Sequence, residues 1–224
     1  MASHVASSKP IKALISSDSC LMFTDSTTAN NKILDHWATK LRTRSVGGFI
    51  FDVSFDVHAG RSLSKGWYLP DLSGYDCVLV VSAGNNFMKK SHTVLSEIGW
   101  QNHKREATMV ELAQIGEAIK QRCGGFVFIG NADDWPFMMG ANADDRHRYD
   151  SMLFESIRFC EEDICIGTAF LGVNEANGGC SFDGLPIDCF TFRDSQHLSL
   201  ESAEPLFRYL HSLLVHSLLA QCRS

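Results

Sequence analysis

Short apolar runs alternate with longer amphipathic stretches along this chain. The runs KALIS (Lys12–Ser16), GFIFDVSFDV (Gly48–Val57), CVLVVSA (Cys77–Ala83), GFVFIG (Gly125–Gly130) and DICIGTAF (Asp163–Phe170) are rich in Val, Ile or Phe and bounded by Gly, Ser, Asp or Asn. That pattern predicts strands. Helical spacing fills the intervals: Asn30–Leu41, then about Asn102–Arg122 with Met109, Leu112, Ile115 and Ile119 on one face, then about Ala143–Cys160, and finally Ser199–Leu219 with Leu206, Leu210, Leu213 and Leu214 on its apolar side. Strands that read apolar on both faces and alternate with helices predict a parallel sheet between helical layers, an α/β architecture of three layers with five central strands. In such sheets ligands gather at the carboxyl ends of the strands, so the loops that follow strands carry the first candidates.

A chain of 224 residues suits one α/β domain. We expect a flexible N-terminus over 1–10, the domain over 11–219 and a short tail over 220–224. The formal net charge is -6 and Lys and Arg are scattered, which argues against nucleic acid as a partner. No stretch approaches the roughly 20 apolar residues of a membrane span, and the N-terminus lacks the apolar core of a secretory signal. The eight cysteines form no CxxC pair, so zinc clusters have little support and reduced core thiols in a cytoplasmic protein are expected. Neither a GxxxxGK loop nor a GxGxxG fingerprint is present, which removes the two commonest nucleotide sites. Oligomeric state is not legible.

Four loops hold the polar groups with chemical potential. The first strand ends in Ser16-Ser17-Asp18-Ser19. The second is followed by DVHAGRSLSKG with Gly60, the third by SAGNNF with Asn86, and RDSQHLS before the last helix sets Asp194 three residues ahead of His197. This set, in this order, resembles the SGNH hydrolases, the GDSL-type esterase and lipase superfamily, over nearly the whole chain. SDS stands where that family usually has GDS, and GNNF puts Phe87 where GxND has its Asp. Neither departure removes a group that transfers a proton or makes a bond.

The resemblance implies a flavodoxin-like three-layer fold and a serine esterase that needs no cofactor or metal and acts on a small carboxylic ester, with acetyl or short-acyl esters first. It assigns Ser19 as nucleophile, His197 as base and Asp194 as its orienting acceptor, with the backbone N–H groups of Ser19 and Gly60 and the side chain of Asn86 as oxyanion donors. Each residue also has an ordinary reading: Ser19 as a cap, Gly60 as a turn glycine with Gly47, Gly48 or Gly66 the true match, Asn86 as a turn closer, and Asp194 and His197 as an Asx turn and a solvated histidine. Cys20 is a rival nucleophile whose bland role is packing, and His58 is expected to be solvated or locally hydrogen-bonded. Trp135, Phe137 and Met138 suit a substrate pocket or, equally, a hydrophobic plug. A lysophospholipase, a thioesterase or a non-catalytic binding module of the same fold are the alternatives.

Overall fold

A computed structural model of the chain describes residues 9–43, 48–82, 97–120, 122–129, 165–169, 180–182, 185–187, 193 and 197–221. Strand β1 (Ile11–Ser17) is followed by a 3-10 turn over Ser19–Leu21 and helix α1 (Thr27–Thr43). Then come β2 (Phe51–Val57), a second 3-10 turn over Leu63–Lys65, β3 (Cys77–Ser82), helix α2 (Glu97–Ile119), β4 (Cys123–Ile129) and β5 (Cys165–Ala169). Two short strands, β6 (Cys180–Phe182) and β7 (Leu185–Ile187), precede a third 3-10 turn over Leu200–Ser202 and the closing helix α3 (Ala203–Gln221).

The main-sheet strands pair in the order β2-β1-β3-β4-β5, and each of these pairings is parallel. Consecutive residues of β1 and β3 are buried, Ala13, Leu14 and Ile15 in one and Cys77 to Val81 in the other. Both faces of the sheet centre are therefore covered, as an α/β protein requires. Helix α1 packs against β2, α2 against β4 and the Leu63–Lys65 turn, and α3 against β4 and β5. Phe207 of α3 joins α3 to the rest of that layer: its ring stacks on Trp37 of α1 at 4.9 Å between centroids and meets Phe23 at 5.8 Å and Phe55 of β2 at 5.5 Å.

The expected apolar faces are observed. Leu112, Ile115 and Ile119 of α2 are buried, as are Leu206, Leu210, Leu213 and Leu214 of α3. Helix α1 begins earlier than hydrophobic spacing indicates, because Ser26 closes its first turn: its carbonyl accepts from Asn30 N and its hydroxyl from Ala29 N. The antiparallel hairpin β6-β7 was not anticipated, since three-residue strands are too short to show alternation. The expected helix over 143–160 lies outside the described residues. No described helix is long and apolar enough to cross a membrane.

Candidate active site

The register of the sheet lines up the relevant strand ends. Ser17 is level with Val57 of β2 and with Val81 of β3, so the loops leaving β1, β2 and β3 start from one edge. Ser19 lies just beyond β1 at the start of the 3-10 turn and is 8% exposed. Gly60 lies in the loop after β2 with φ +69, where a Cβ would meet no heavy atom within 4 Å. A side chain there would thus be excluded by backbone conformation rather than by space. Of the rival glycines, Gly48 precedes β2 and so sits at the opposite strand end. Gly66 ends the second 3-10 turn.

The run Ser16-Ser17-Asp18-Ser19 divides its polar groups among separate tasks. Ser16 Oγ donates to Asp56 Oδ2 at 2.9 Å and accepts from Arg61 Nη1 at 2.8 Å and Trp67 Nε1 at 2.9 Å. One donor and two acceptor sites are the full capacity of a hydroxyl. Ser17 Oγ lies 3.0 Å from Cys20 Sγ. Asp18 caps the turn, its Oδ1 accepting from Cys20 N at 3.0 Å. The next segment is pinned by buried Asn30, whose Oδ1 accepts from Phe23 N at 2.9 Å while its Nδ2 donates to Leu21 O at 3.0 Å. Such closure suits a loop that must present one side chain in one place.

A second cluster ties the β1 and β2 ends together. Arg61, next to Gly60, donates from Nη1 to Asp56 Oδ2 at 2.8 Å and to Asp56 O at 3.2 Å, besides Ser16. Its side chain is 8% exposed and lies 5.3 Å from the Trp67 ring centroid. The loop is also held by His58 N donating to Ser17 O at 3.1 Å. His58 is locally hydrogen-bonded, its Nε2 being 2.8 Å from Asp56 Oδ1, and its side chain is 60% exposed. Burial raises the Asp56 carboxyl, but the hydrogen bond and charge of Arg61, with Ser16 and His58, outweigh it and hold the group below the usual carboxylate range. Neither the Asn30 pin nor this cluster was legible in the sequence, which offers no spacing signal for contacts between distant segments.

His197 precedes α3, and its carbonyl accepts from Arg193 N at 2.9 Å. Arg193 Nη1 pairs with Asp25 Oδ1 at 2.7 Å. This ion pair brings the turn carrying His197 to the segment that follows the Ser19 loop. Cys20 is fully buried, and that burial, together with the charge of Asp18, pushes its thiol well above the usual range. A thiol so raised carries almost no thiolate at neutral pH, which removes the basis of the rival nucleophile. Asn86, Asp194, Trp135, Phe137 and Met138 lie outside the described residues. Among the described residues, no cluster of His, Cys, Asp or Glu suited to a metal is present.

The fold is shared with known ester-cleaving enzymes. An acetylxylan esterase from Geobacillus stearothermophilus superposes with a TM-score of 0.57 at 14% identity, covering 91% of this chain and 94% of the other. A lipase/acylhydrolase from Enterococcus faecalis superposes with a TM-score of 0.52 at 13% identity, covering 94% and 96%. The chain has an SGNH hydrolase-like fold. No protein-family model matches the sequence, and no curated protein matches it significantly. At such identities the likeness lies in the path of the backbone. The SGNH-like fold also accounts for the placement of Ser19 and Gly60 in neighbouring loops, because its parallel strands deliver successive loops to one edge.

Proposed function

We propose that the protein is a serine esterase that cleaves a small carboxylic ester, acetyl or short-acyl, on a five-stranded flavodoxin-like sheet. The observation that carries the reading is the common edge: Ser19 and Gly60 leave adjacent parallel strands whose ends are level at Ser17 and Val57. The fold shared with an acetylxylan esterase and a lipase/acylhydrolase supports the same class of chemistry.

A serine hydroxyl needs a base to become a nucleophile, and the base needs an orienting acceptor. In this reading His197 takes the Ser19 proton as Oγ bonds to the acyl carbon, and returns it to the alcohol as the ester C–O bond breaks. Water, deprotonated by the same imidazole, then attacks the acyl-enzyme and releases the acid and Ser19. Asp194 holds the imidazole tautomer and stabilises imidazolium. The oxyanion of each tetrahedral intermediate is met by the N–H groups of Ser19 and Gly60 and the side chain of Asn86. Trp135, Phe137 and Met138 contribute an apolar wall for the acyl group. No cofactor takes part.

Labelling with a fluorophosphonate probe, combined with a series of p-nitrophenyl esters of increasing acyl length, tests the proposal. Wild type is expected to be labelled at Ser19 and to prefer the shortest acyl groups. Absence of both labelling and turnover would leave a binding module, and preference for long chains would point to a lysophospholipase or thioesterase.

A further inference from the structure

The loop after β2 lines an open cleft of about 550 Å³ whose walls include Asp56, His58, Gly60, Arg61, Lys65 and Tyr68. This volume lies within the roughly 300–1,000 Å³ typical of small-molecule sites. Because Gly60 is part of the lining, the cavity adjoins the proposed oxyanion donor.

Tyr68 is unusual in two respects. Its φ of 52° is positive, a conformation that bulky side chains rarely adopt, that persists only where the surroundings impose it and that clusters at functional sites. Its ring also lies against Gly66, where a Cβ would fall 2.7 Å from Cε2 and Cζ, yet the residue is 81% exposed. Gly66 thus gives room for one side of the ring while the residue stays open to solvent. A strained backbone and a glycine together hold a flat aromatic surface at the cavity. Neighbouring Trp67 is fully buried, its Nε1 bound to Ser16 and its backbone N to Glu111, which anchors the platform from below.

We infer that this cavity binds the alcohol half of the ester, that this half is a hydroxyl-bearing ring such as a sugar, and that Tyr68 is the specificity-determining residue on which it stacks. The inference rests on the esterase reading for the ester bond, but the binding of the ring is independent of turnover. An aromatic face carries partial negative charge, which suits the weakly positive C–H face of a sugar ring. The rim carries polar side chains, among them the 60% exposed His58 and the exposed Lys65, that suit ring hydroxyls. An alkyl chain in the same place would strip water from those groups without replacing their hydrogen bonds.

The test uses the full chain, two variants and two readouts. Tyr68→Ala deletes the ring, and Tyr68→Gly deletes it while also relieving the positive φ. For a mono-O-acetyl methyl xylopyranoside, kcat/KM is expected to fall about tenfold in both variants, chiefly through KM, while ethyl acetate stays within about twofold of wild type. Tyr68→Phe should keep wild-type values. Saturation-transfer NMR with methyl xylopyranoside should show contact with wild type and with Ser19→Ala, and loss of it in Tyr68→Ala. Equal losses on both esters, no loss on either, a wild-type preference for phenyl acetate over the sugar ester, or no saturation transfer would each overturn the subsite. If neither ester is hydrolysed but the glycoside binds through Tyr68, the esterase reading fails and the ring site stands.

Discussion

At the scale of single residues, four consecutive polar positions carry different burdens. Ser16 joins two strand ends, Ser17 meets Cys20, Asp18 caps the turn and Ser19 is the proposed nucleophile. Ser19→Ala is expected to abolish ester hydrolysis and fluorophosphonate labelling while leaving the melting temperature within a few degrees of wild type, because one small loop hydroxyl is removed. Retained turnover would place the nucleophile elsewhere. Arg61 has a different part: its guanidinium bolts the Gly60 loop to Ser16 and Asp56. Lysine keeps the charge but is shorter and has no planar group to lie over the Trp67 ring. Arg61→Lys should therefore lower kcat by about 10²-fold with KM little changed, as expected when an oxyanion donor is displaced. A change confined to KM would show that Arg61 binds substrate rather than positions Gly60.

Asp56 gives a pH signature at the same scale. Its pKa in the folded protein lies below the ordinary value, so its ionised form stabilises the fold above the unfolded pKa of about 4, and that stability disappears as pH falls through the folded value. Asp56→Asn should be less stable than wild type near neutral pH, and the gap should close as pH drops below about 4. Thermal denaturation of both proteins across that range checks the sign. A gap independent of pH would mean that the carboxylate charge contributes nothing.

Among elements, the connection between the Ser19 turn and α1 is the one to probe. Asn30 sits on α1 yet satisfies a donor at Phe23 and an acceptor at Leu21. Asn30→Ala orphans both groups in the interior and is expected to cost about 2–6 kcal/mol, on the usual scale of about 1–3 kcal/mol for each buried unsatisfied group. Denaturant unfolding measures the cost. Activity should fall more than stability at low temperature if the Ser19 turn loosens. Hydrophobic spacing located α1, β1 and α3 to within a few residues, because each buries a regular stripe or an unbroken apolar run. It gave no warning of Asn30, whose partners lie in a loop and are defined by three-dimensional closure.

For the whole molecule, Phe207 links α3, α1, β2 and the Phe23 segment through one ring. Phe207→Ala should destabilise the protein by about 3–5 kcal/mol, the usual range for emptying a large buried aromatic site. Loss of less than about 1 kcal/mol would mean that the layers repack around the gap. The order of elements, the parallel sheet and the edge that carries the candidate loops follow from the chain itself, since alternating buried strands and amphipathic helices leave few other solutions. So does the position of Ser19, Gly60 and His197 in loops next to that sheet. What the tertiary structure decided is how those loops are held and what surrounds them: the Arg61–Asp56–Ser16 clamp, the burial that silences Cys20, and the cavity faced by Tyr68. These depend on distances between residues far apart in sequence, and periodicity carries no information about such distances. A local pattern records which face of an element is buried, whereas a site is made where several elements end together.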